Sequence, residues 1–128
     1  MNHQESQEQQ ALFEWAAYQP GLELMHHIPN GGKRNPREAA RLKREGVKAG
    51  IPDIFLPVPR GCWHGLYIEM KAPGGRLSKA QKAMHQKLSE QDYAVVVCHG
   101  CDEAVQAIAY YLHQEKMTKK YILSQTHF

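Results

Sequence analysis

The chain has 128 residues, of which 42% are hydrophobic and 23% charged, with a formal net charge of +3 and a pI near 8.8. This composition is that of one globular domain; it excludes a disordered chain, and the length leaves no room for a second core. The polar, glutamine-rich start and the lack of a long apolar run predict neither a signal peptide nor a membrane span. We therefore expect a soluble, cytoplasmic protein.

The N-terminal part of the chain predicts a helix followed by a strand. Residues 5–18 have apolar side chains at helical spacing, and Pro20 ends the pattern. Residues 22–28 alternate between apolar and polar as a strand does, until the Pro-Asn-Gly-Gly segment at 29–32 interrupts them. The glycine pair is either a tight turn or a place where the backbone approaches a sugar-phosphate chain.

The next predicted element is a basic helix. Asn35-Pro36-Arg37-Glu38 carries helix-start features, and Gly46 is a fitting end. Between residues 33 and 48 seven basic residues stand against two acids, a local charge of +5. Charge runs are usually solvated surface, but this one leads directly into the next strand, so we favour phosphate contacts. The predicted nucleic-acid-binding residues are Asn30, Lys33, Arg34, Arg37, Arg41, Arg44 and Lys48.

Residues 50–71 predict two short strands joined by a Pro/Gly-rich connection. Alternation turns Asp53 away from the apolar face of the first strand, and it turns Glu69 and Lys71 away from the apolar face of the second. If the strands pair, the two acids converge, and the lysine lies about 7 Å further along the same face. Paired carboxylates form a hard oxygen site suited to Mg²⁺ or Mn²⁺. The lysine adds a positive charge where a phosphate or an attacking water would sit.

The remainder of the chain predicts a helix from Ser78, a strand over 94–98 and a helix over 102–114. Ser78 and Gln81 match a capping box, which is a complete structural explanation for that glutamine. The expected buried stripes are Ala80, Met84 and Leu88 on the first helix, and Val105, Ile108, Ala109 and Leu112 on the second. Residues 1–114 would form the domain, and the basic tail at 115–128 is either a DNA contact or a dimer arm.

Cysteine and histidine patterns predict little chemistry. Three cysteines are an odd number, and Cys98-x-x-Cys101 lacks a second ligand pair for zinc, so we expect neither disulfides nor a metal or redox role there. None of the eight histidines forms an i, i+4 pair with an acid between them, and we assign them structural or surface roles.

Pro52-Asp53 and Glu69-Met70-Lys71 resemble the motif of the PD-(D/E)XK nuclease superfamily. Three further blocks, at 27–32, 46–53 and 77–81, resemble the virus-type replication-repair nuclease (VRR-NUC) domain in its small stand-alone form, known from phages and bacteria. The resemblance covers roughly residues 7–113. It implies an α/β fold with an αβββαβ core, in which helices flank a central mixed sheet, and a metal-dependent DNA nuclease.

The resemblance also implies roles for individual residues. Asp53, Glu69 and the main-chain carbonyl of Met70 would hold Mg²⁺ or Mn²⁺, and Lys71 would orient water or stabilise the transition state. A glutamine near the active centre adds a catalytic interpretation of Gln81 to its capping role. A glutamate of the first helix approaches the metal in this family, which makes Glu14 a candidate catalytic and metal-binding residue; from spacing alone it is a solvated side chain.

The expected substrate is branched DNA, such as flaps or four-way junctions, because little chain remains for reading base edges as a site-specific restriction enzyme does. Resolving a four-way junction needs two coordinated cuts and hence a homodimer. No small-molecule cofactor is expected. The alternative from another class is a non-catalytic nucleic-acid-binding module on the same fold, which would be expected to lose one of Asp53, Glu69 or Lys71.

Overall fold

The computed structural model describes residues 1–29 and 35–115. Its elements, in chain order, are α1 (His3–Ala16), β1 (His26–His27), α2 (Pro36–Arg44), β2 (Ile54–Leu56), β3 (Leu66–Met70), α3 (Lys79–Glu90), β4 (Ala94–Cys98) and α4 (Cys101–Leu112). The strands form one sheet in the order β1-β2-β3-β4. The first two pairings are antiparallel, and β3 and β4 are parallel with α3 as the crossover. The predicted mixed α/β architecture is confirmed.

The two faces of the sheet carry different side chains, as the alternation predicted. One face is the core, where the buried side chains of β2 and β3 pack with Leu12 of α1 and Ile108 of α4. Helix α3 lies on the other face, since its His85 contacts Glu69, whose side chain alternates with those of Ile68 and Met70. The sheet is therefore sandwiched between α3 and the α1–α4 pair. The core residues of β2 and β3 are Ile54, Leu56, Leu66, Ile68 and Met70.

The predicted starts of α2 and α3 are confirmed, whereas α1 begins and ends two residues earlier than predicted. The Asn35 side chain accepts a hydrogen bond from the Glu38 amide at 2.8 Å. Ser78 and Gln81 form the reciprocal capping box: the Gln81 amide donates to Ser78 Oγ at 3.1 Å, and the Ser78 amide donates to Gln81 Oε1 at 2.9 Å. These interactions are local in sequence, and each satisfies amides that the first turn of a helix leaves without a partner.

The strand predicted over residues 22–28 is wrong in extent, since β1 comprises only His26–His27. Leu22 and Met25 are both buried although three residues apart, because turns join Gln19 to Leu22 and Leu22 to Met25. Leu24, expected on the same face as Leu22, is 59% exposed. Because the backbone turns here, buried residues recur about every three positions instead of every two.

The buried faces of the last two helices also differ from expectation. Ala80 is exposed and His85 is buried on α3, and Ala109 is exposed on α4. Helix α4 instead buries Ala104, Ile108 and Tyr111, with the tyrosine hydroxyl donating to the Val58 carbonyl at 2.6 Å. Because its hydroxyl group is hydrogen-bonded, the large Tyr111 ring can be buried in the core. On α4, Ile108 is buried as predicted, and Val105 and Leu112 are partly buried against the core, so Ala109 is the misplaced residue. On α3 the buried stripe is shifted from Ala80 and Met84 towards His85.

The run of three valines at Val95 to Val97 predicts an interior strand. Strand β4 instead lies at the end of the sheet and is half-buried over most of its length. Among the described residues, no helix is both long and apolar enough to cross a membrane. Nearly all of the predicted basic tail, residues 116–128, lies outside the described residues.

Candidate active site

Asp53 and Glu69 meet across the β2–β3 pair. Ile54 lies opposite Ile68 in the antiparallel register, so the preceding residue of β2 and the following residue of β3 also lie opposite each other. The Asp53 carboxyl is close enough to Glu69 to raise the pKa of that side chain. Asp53 Oδ2 also accepts a hydrogen bond from the Met70 amide at 2.8 Å. The predicted convergence of the two acids is thus present in the fold.

Glu69 is buried and electrostatically unusual, with only 2% of its surface exposed. Burial raises its pKa to about 9, with further contributions from the hydrogen bond to Asp53 and from the negative charges of Asp53 and Glu5. The charge of Lys71 opposes these effects and lowers the pKa of Glu69. At neutral pH the raised pKa favours the protonated, neutral form of the Glu69 side chain.

Lys71 directly follows β3 and is half-buried. Its amide donates to the Cys98 carbonyl at 2.9 Å, which continues the β3–β4 pairing by one residue. Burial lowers the pKa of His85, and the Lys71 charge lowers it further. The ammonium group is thus close enough to act on both Glu69 and His85. Met70, the predicted carbonyl ligand, lies between the acid and the lysine and points its side chain into the core.

The structure does not bring Glu14 to this cluster; the acid of α1 that comes near is Glu5. Glu5 Oε1 accepts a hydrogen bond from the Ala72 amide at 3.2 Å, and its charge acts on Glu69. Glu14 comes nine residues later, which is two and a half turns and roughly 13 Å along the axis, so it lies on the opposite, exposed helix face.

A second acid of α1 fixes the end of β4. Glu8, one turn after Glu5, accepts a hydrogen bond from the Cys101 amide at 2.8 Å through Oε2. The contact lies at the first turn of α4, where amides lack partners and a negative charge is favourable. Helix α1 is thus tied both to the segment after Lys71 and to the start of α4.

Gln81 takes the structural role of the capping box, which uses its Oε1. Its Nε2 has no hydrogen-bond partner among residues 1–29 and 35–115. His85 lies one turn further along on the same face of α3, the face turned to the sheet. Gln81 is therefore positioned near the acids with a donor available.

The sequence interpretation missed His85. Its Nε2 lies 3.1 Å from Glu69 Oε1, and only 9% of the residue is exposed. The spacing of Gln81, His85 and Leu88 (i, i+4, i+7) is helical, and all three are at least half-buried. That spacing was the available sign that the histidine belongs to the buried face rather than to the surface.

The predicted nucleic-acid-binding residues fall into two groups. Asn30, Lys33 and Arg34 lie outside the described residues. Arg37, Arg41, Arg44 and Lys48 are exposed on α2 and in the turn that follows it. Arg41 forms ion pairs with Glu45 at 2.7 Å and with Glu38 at 4.0 Å, so part of its charge is compensated within the helix.

An α/β sheet with two acids and a lysine at one end of a strand pair has the architecture of a nuclease-type domain. A family model described as "VRR-NUC domain" matches residues 3–102. A solved structure titled "VRR_NUC domain protein" superposes with a TM-score of 0.80 at 31% sequence identity, over 92% of this chain and 95% of that one. No match was found among curated proteins. The chain belongs to the VRR-NUC family.

Proposed function

We propose that this protein is a metal-dependent DNA nuclease that hydrolyses phosphodiester bonds. Its active site would consist of Asp53, Glu69 and Lys71. The observation that carries the proposal is that Asp53 and Glu69 lie opposite each other at the β2–β3 pair, with an ammonium group acting on Glu69. Two adjacent carboxyls, of which Glu69 is buried and Asp53 half-buried, cost free energy unless they share a proton or bind a cation. A nuclease needs such a cation site beside a positive charge that faces the phosphate.

The donor set fits Mg²⁺ or Mn²⁺. Both acids offer hard oxygen ligands, and the main-chain carbonyl of Met70 would be the third protein ligand. Among residues 1–29 and 35–115, no three side chains of His, Cys, Asp or Glu form a metal-binding group. Mg²⁺ does not require one, since it is commonly bound through one or two carboxylates and keeps several waters.

Each residue then has a defined task. The bound cation would supply Lewis acidity that neutralises the phosphoryl oxygens and activates water. The Met70 amide fixes Asp53 in one orientation through its hydrogen bond to Oδ2. A bound cation, together with the charge of Lys71, would favour the charged form of the Glu69 carboxylate, which would then be able to hold that cation. Lys71 orients the water or stabilises the charge that develops on the phosphate, and Gln81 has its Nε2 available for a phosphate oxygen.

Exposed basic residues of α2 and the following turn support binding to the DNA backbone. Arg37, Arg44 and Lys48 present their charges to solvent. Contacts of this kind bind phosphates whatever the sequence, and the affinity falls steeply with salt. A largely sequence-independent, salt-sensitive affinity is expected, together with selection of branched DNA by shape.

A homodimer is the expected assembly, and the free side of β4 supports it. The Ala94 amide donates to the Gly65 carbonyl at 2.9 Å, so the amides of Val95 and Val97, one residue out of phase, point away from β3. In the described part of the chain β4 pairs on one side only, and a cleft of about 740 Å³ runs between it and α4. An uncharged apolar edge is suited to pairing with the same edge of a second copy.

The test is a nicking assay on plasmid and branched DNA with Mg²⁺ and with Mn²⁺. Lys71→Met should abolish cleavage and leave DNA binding nearly intact, whereas Lys82→Met, an exposed lysine of α3, should retain cleavage. A non-catalytic module on the same fold predicts binding without metal-dependent cleavage for the wild type. Cleavage by purified Lys71→Met protein would contradict the role assigned to that lysine.

A further inference from the structure

A groove of about 410 Å³ opens beside the acid pair, between the sheet and the turn that follows α2. Its walls are mostly apolar, with Ile28, Val47 and Ile51 among them, and Tyr67 forms part of the lining. Lys48 is also at its wall. An apolar cleft with an aromatic ring and a single exposed lysine is suited to a flat, uncharged ring that carries a phosphate.

The groove is linked to the candidate active site through the strands that lead to the acids. Tyr67 precedes Glu69 by two residues on the same face of β3, a distance of about 7 Å along the strand. On the opposite wall, the Ile28 amide donates to the Asp53 carbonyl at 2.7 Å, so the groove is joined to both acid-bearing strands. A nucleotide whose phosphate lies at the acids would therefore have its neighbour at the groove.

Neighbouring rings hold Tyr67 in place. Phe55 lies directly across the strand pair and stacks on it, with 4.3 Å between ring centroids and an interplanar angle of 21°. Tyr93 meets it edge-on at 5.5 Å. Cross-strand aromatic pairs also stabilise sheets, which is sufficient reason for Phe55. Tyr67 nevertheless remains half-exposed and lines the groove, so a ligand would find the ring already ordered.

The electrostatics of the groove favour an anionic ligand. Glu45 is the acid in its lining, and Arg41 pairs with that carboxylate at 2.7 Å. Lys48 remains as an exposed positive charge at the same wall. The local charge is thus compatible with one phosphate beside an apolar slot.

We propose that this groove binds an unpaired nucleobase of the DNA strand next to the bond being cut, stacked on Tyr67 with its phosphate at Lys48. The inference rests on the proposed nuclease function and names its substrate class: DNA with a single-stranded segment at the cleavage site. A base inside a continuous duplex has its faces covered by neighbouring bases, so it cannot stack on Tyr67 without first leaving the helix. Aromatic stacking tolerates any base, which agrees with sequence-independent cleavage.

The experiment uses the full chain without divalent metal, so that binding is read without cleavage. Oligonucleotides carry 2-aminopurine either at an unpaired position beside a branch point or within a duplex. For the wild type we expect 2-aminopurine fluorescence to be quenched at the unpaired position. Tyr67→Leu should lose that quenching and bind the branched DNA roughly tenfold more weakly, with little change on duplex. Tyr67→Phe should keep both properties, and Tyr18→Leu, a tyrosine that is 87% exposed just after α1, should behave as wild type.

Equal losses of affinity on duplex and branched DNA, or none on either, would overturn the groove assignment. If Tyr67→Leu fails to fold, the wild type alone decides, since absence of quenching at the unpaired position overturns the proposal. The two proposals fail separately. If the wild type binds DNA and quenches the fluorescence but never cleaves with Mg²⁺ or Mn²⁺, the nuclease proposal is wrong and the groove proposal stands. If it cleaves without quenching, the groove proposal is wrong and the nuclease proposal stands.

Discussion

Replacing Glu69 with glutamine should change how the stability of the metal-free protein depends on pH. The pKa of Glu69 is raised to about 9 in the folded chain, from an ordinary value of 4.5. The folded state therefore binds the proton more tightly than the unfolded state does. The stability that Glu69 contributes is fully present below pH 4.5 and is lost as the pH rises towards 9. The amide side chain of the Glu69→Gln variant would be neutral in both states and would show no such loss.

The size of the effect follows from the linkage relation. Each pH unit above 4.5 lowers the free energy of unfolding of the wild type by about 1.4 kcal/mol. At pH 7 the wild type has therefore lost about 3 kcal/mol of stability relative to the Glu69→Gln variant. The measurement is urea unfolding in EDTA at pH 4.5 and pH 7, followed by fluorescence of Trp15 and Trp63. Glu14→Gln, on the exposed face of α1, is the matched control and should follow the wild type.

Two outcomes would refute this reasoning. One is a free-energy difference between wild type and Glu69→Gln that does not vary with pH. The other is a wild type that gains stability over the variant as the pH rises. Adding Mn²⁺ or Mg²⁺ at pH 7 should stabilise the wild type and have little effect on Glu69→Gln, because the amide is a poor ligand for a hard cation.

Three further changes have defined outcomes. His85→Ala should destabilise the protein by about 1–3 kcal/mol in thermal unfolding, because it removes a buried hydrogen-bond partner; a similar loss for the exposed His3→Ala would contradict the reason given. Gly50→Ala should cost at least about 1 kcal/mol in the same assay, since φ at this residue is +84° and an added Cβ would meet the main chain in the first turn of α3; unchanged stability would show that the turn can yield. Val97→Pro removes an amide that points away from β3, so analytical ultracentrifugation should show a monomer for the variant and the proposed dimer for the wild type; a dimeric variant would place the interface elsewhere.

The parts of the site that the sequence predicted depend on interactions between near neighbours. The alternation of β3 predicted that Glu69 and Lys71 would leave the apolar face, and the structure has that alternation. The capping box of Ser78 and Gln81 was predicted for the same reason, since three residues separate its partners. The convergence of the two acids needed one further assumption, that β2 and β3 pair in register, and a short connection between strands makes that pairing the simplest one.

The parts that were missed depend on which face of a helix meets the sheet. Glu5 and Glu14 are both glutamates on an amphipathic helix, and their positions differ by half a turn. Only the packing of Leu12 into the core decides which of them faces the site. His85 was missed for a related reason, because the stripe assigned to α3 began at Ala80 and so was one residue out of phase. The residues alone do not fix this rotation.

The two glutamate contacts of α1 mean that the first turns of this helix help to position the end of the sheet that carries the acids. Glu5 accepts a hydrogen bond from the Ala72 amide, and Glu8 accepts one from the Cys101 amide. One helix therefore fixes the segments that follow both β3 and β4. The helix itself starts from an Asn2 cap. Affinity tags or truncations that disturb residues 2–8 would thus loosen two loops at once, and they would disturb the end of the sheet that carries the acids even though every residue of the acid pair and its lysine was intact.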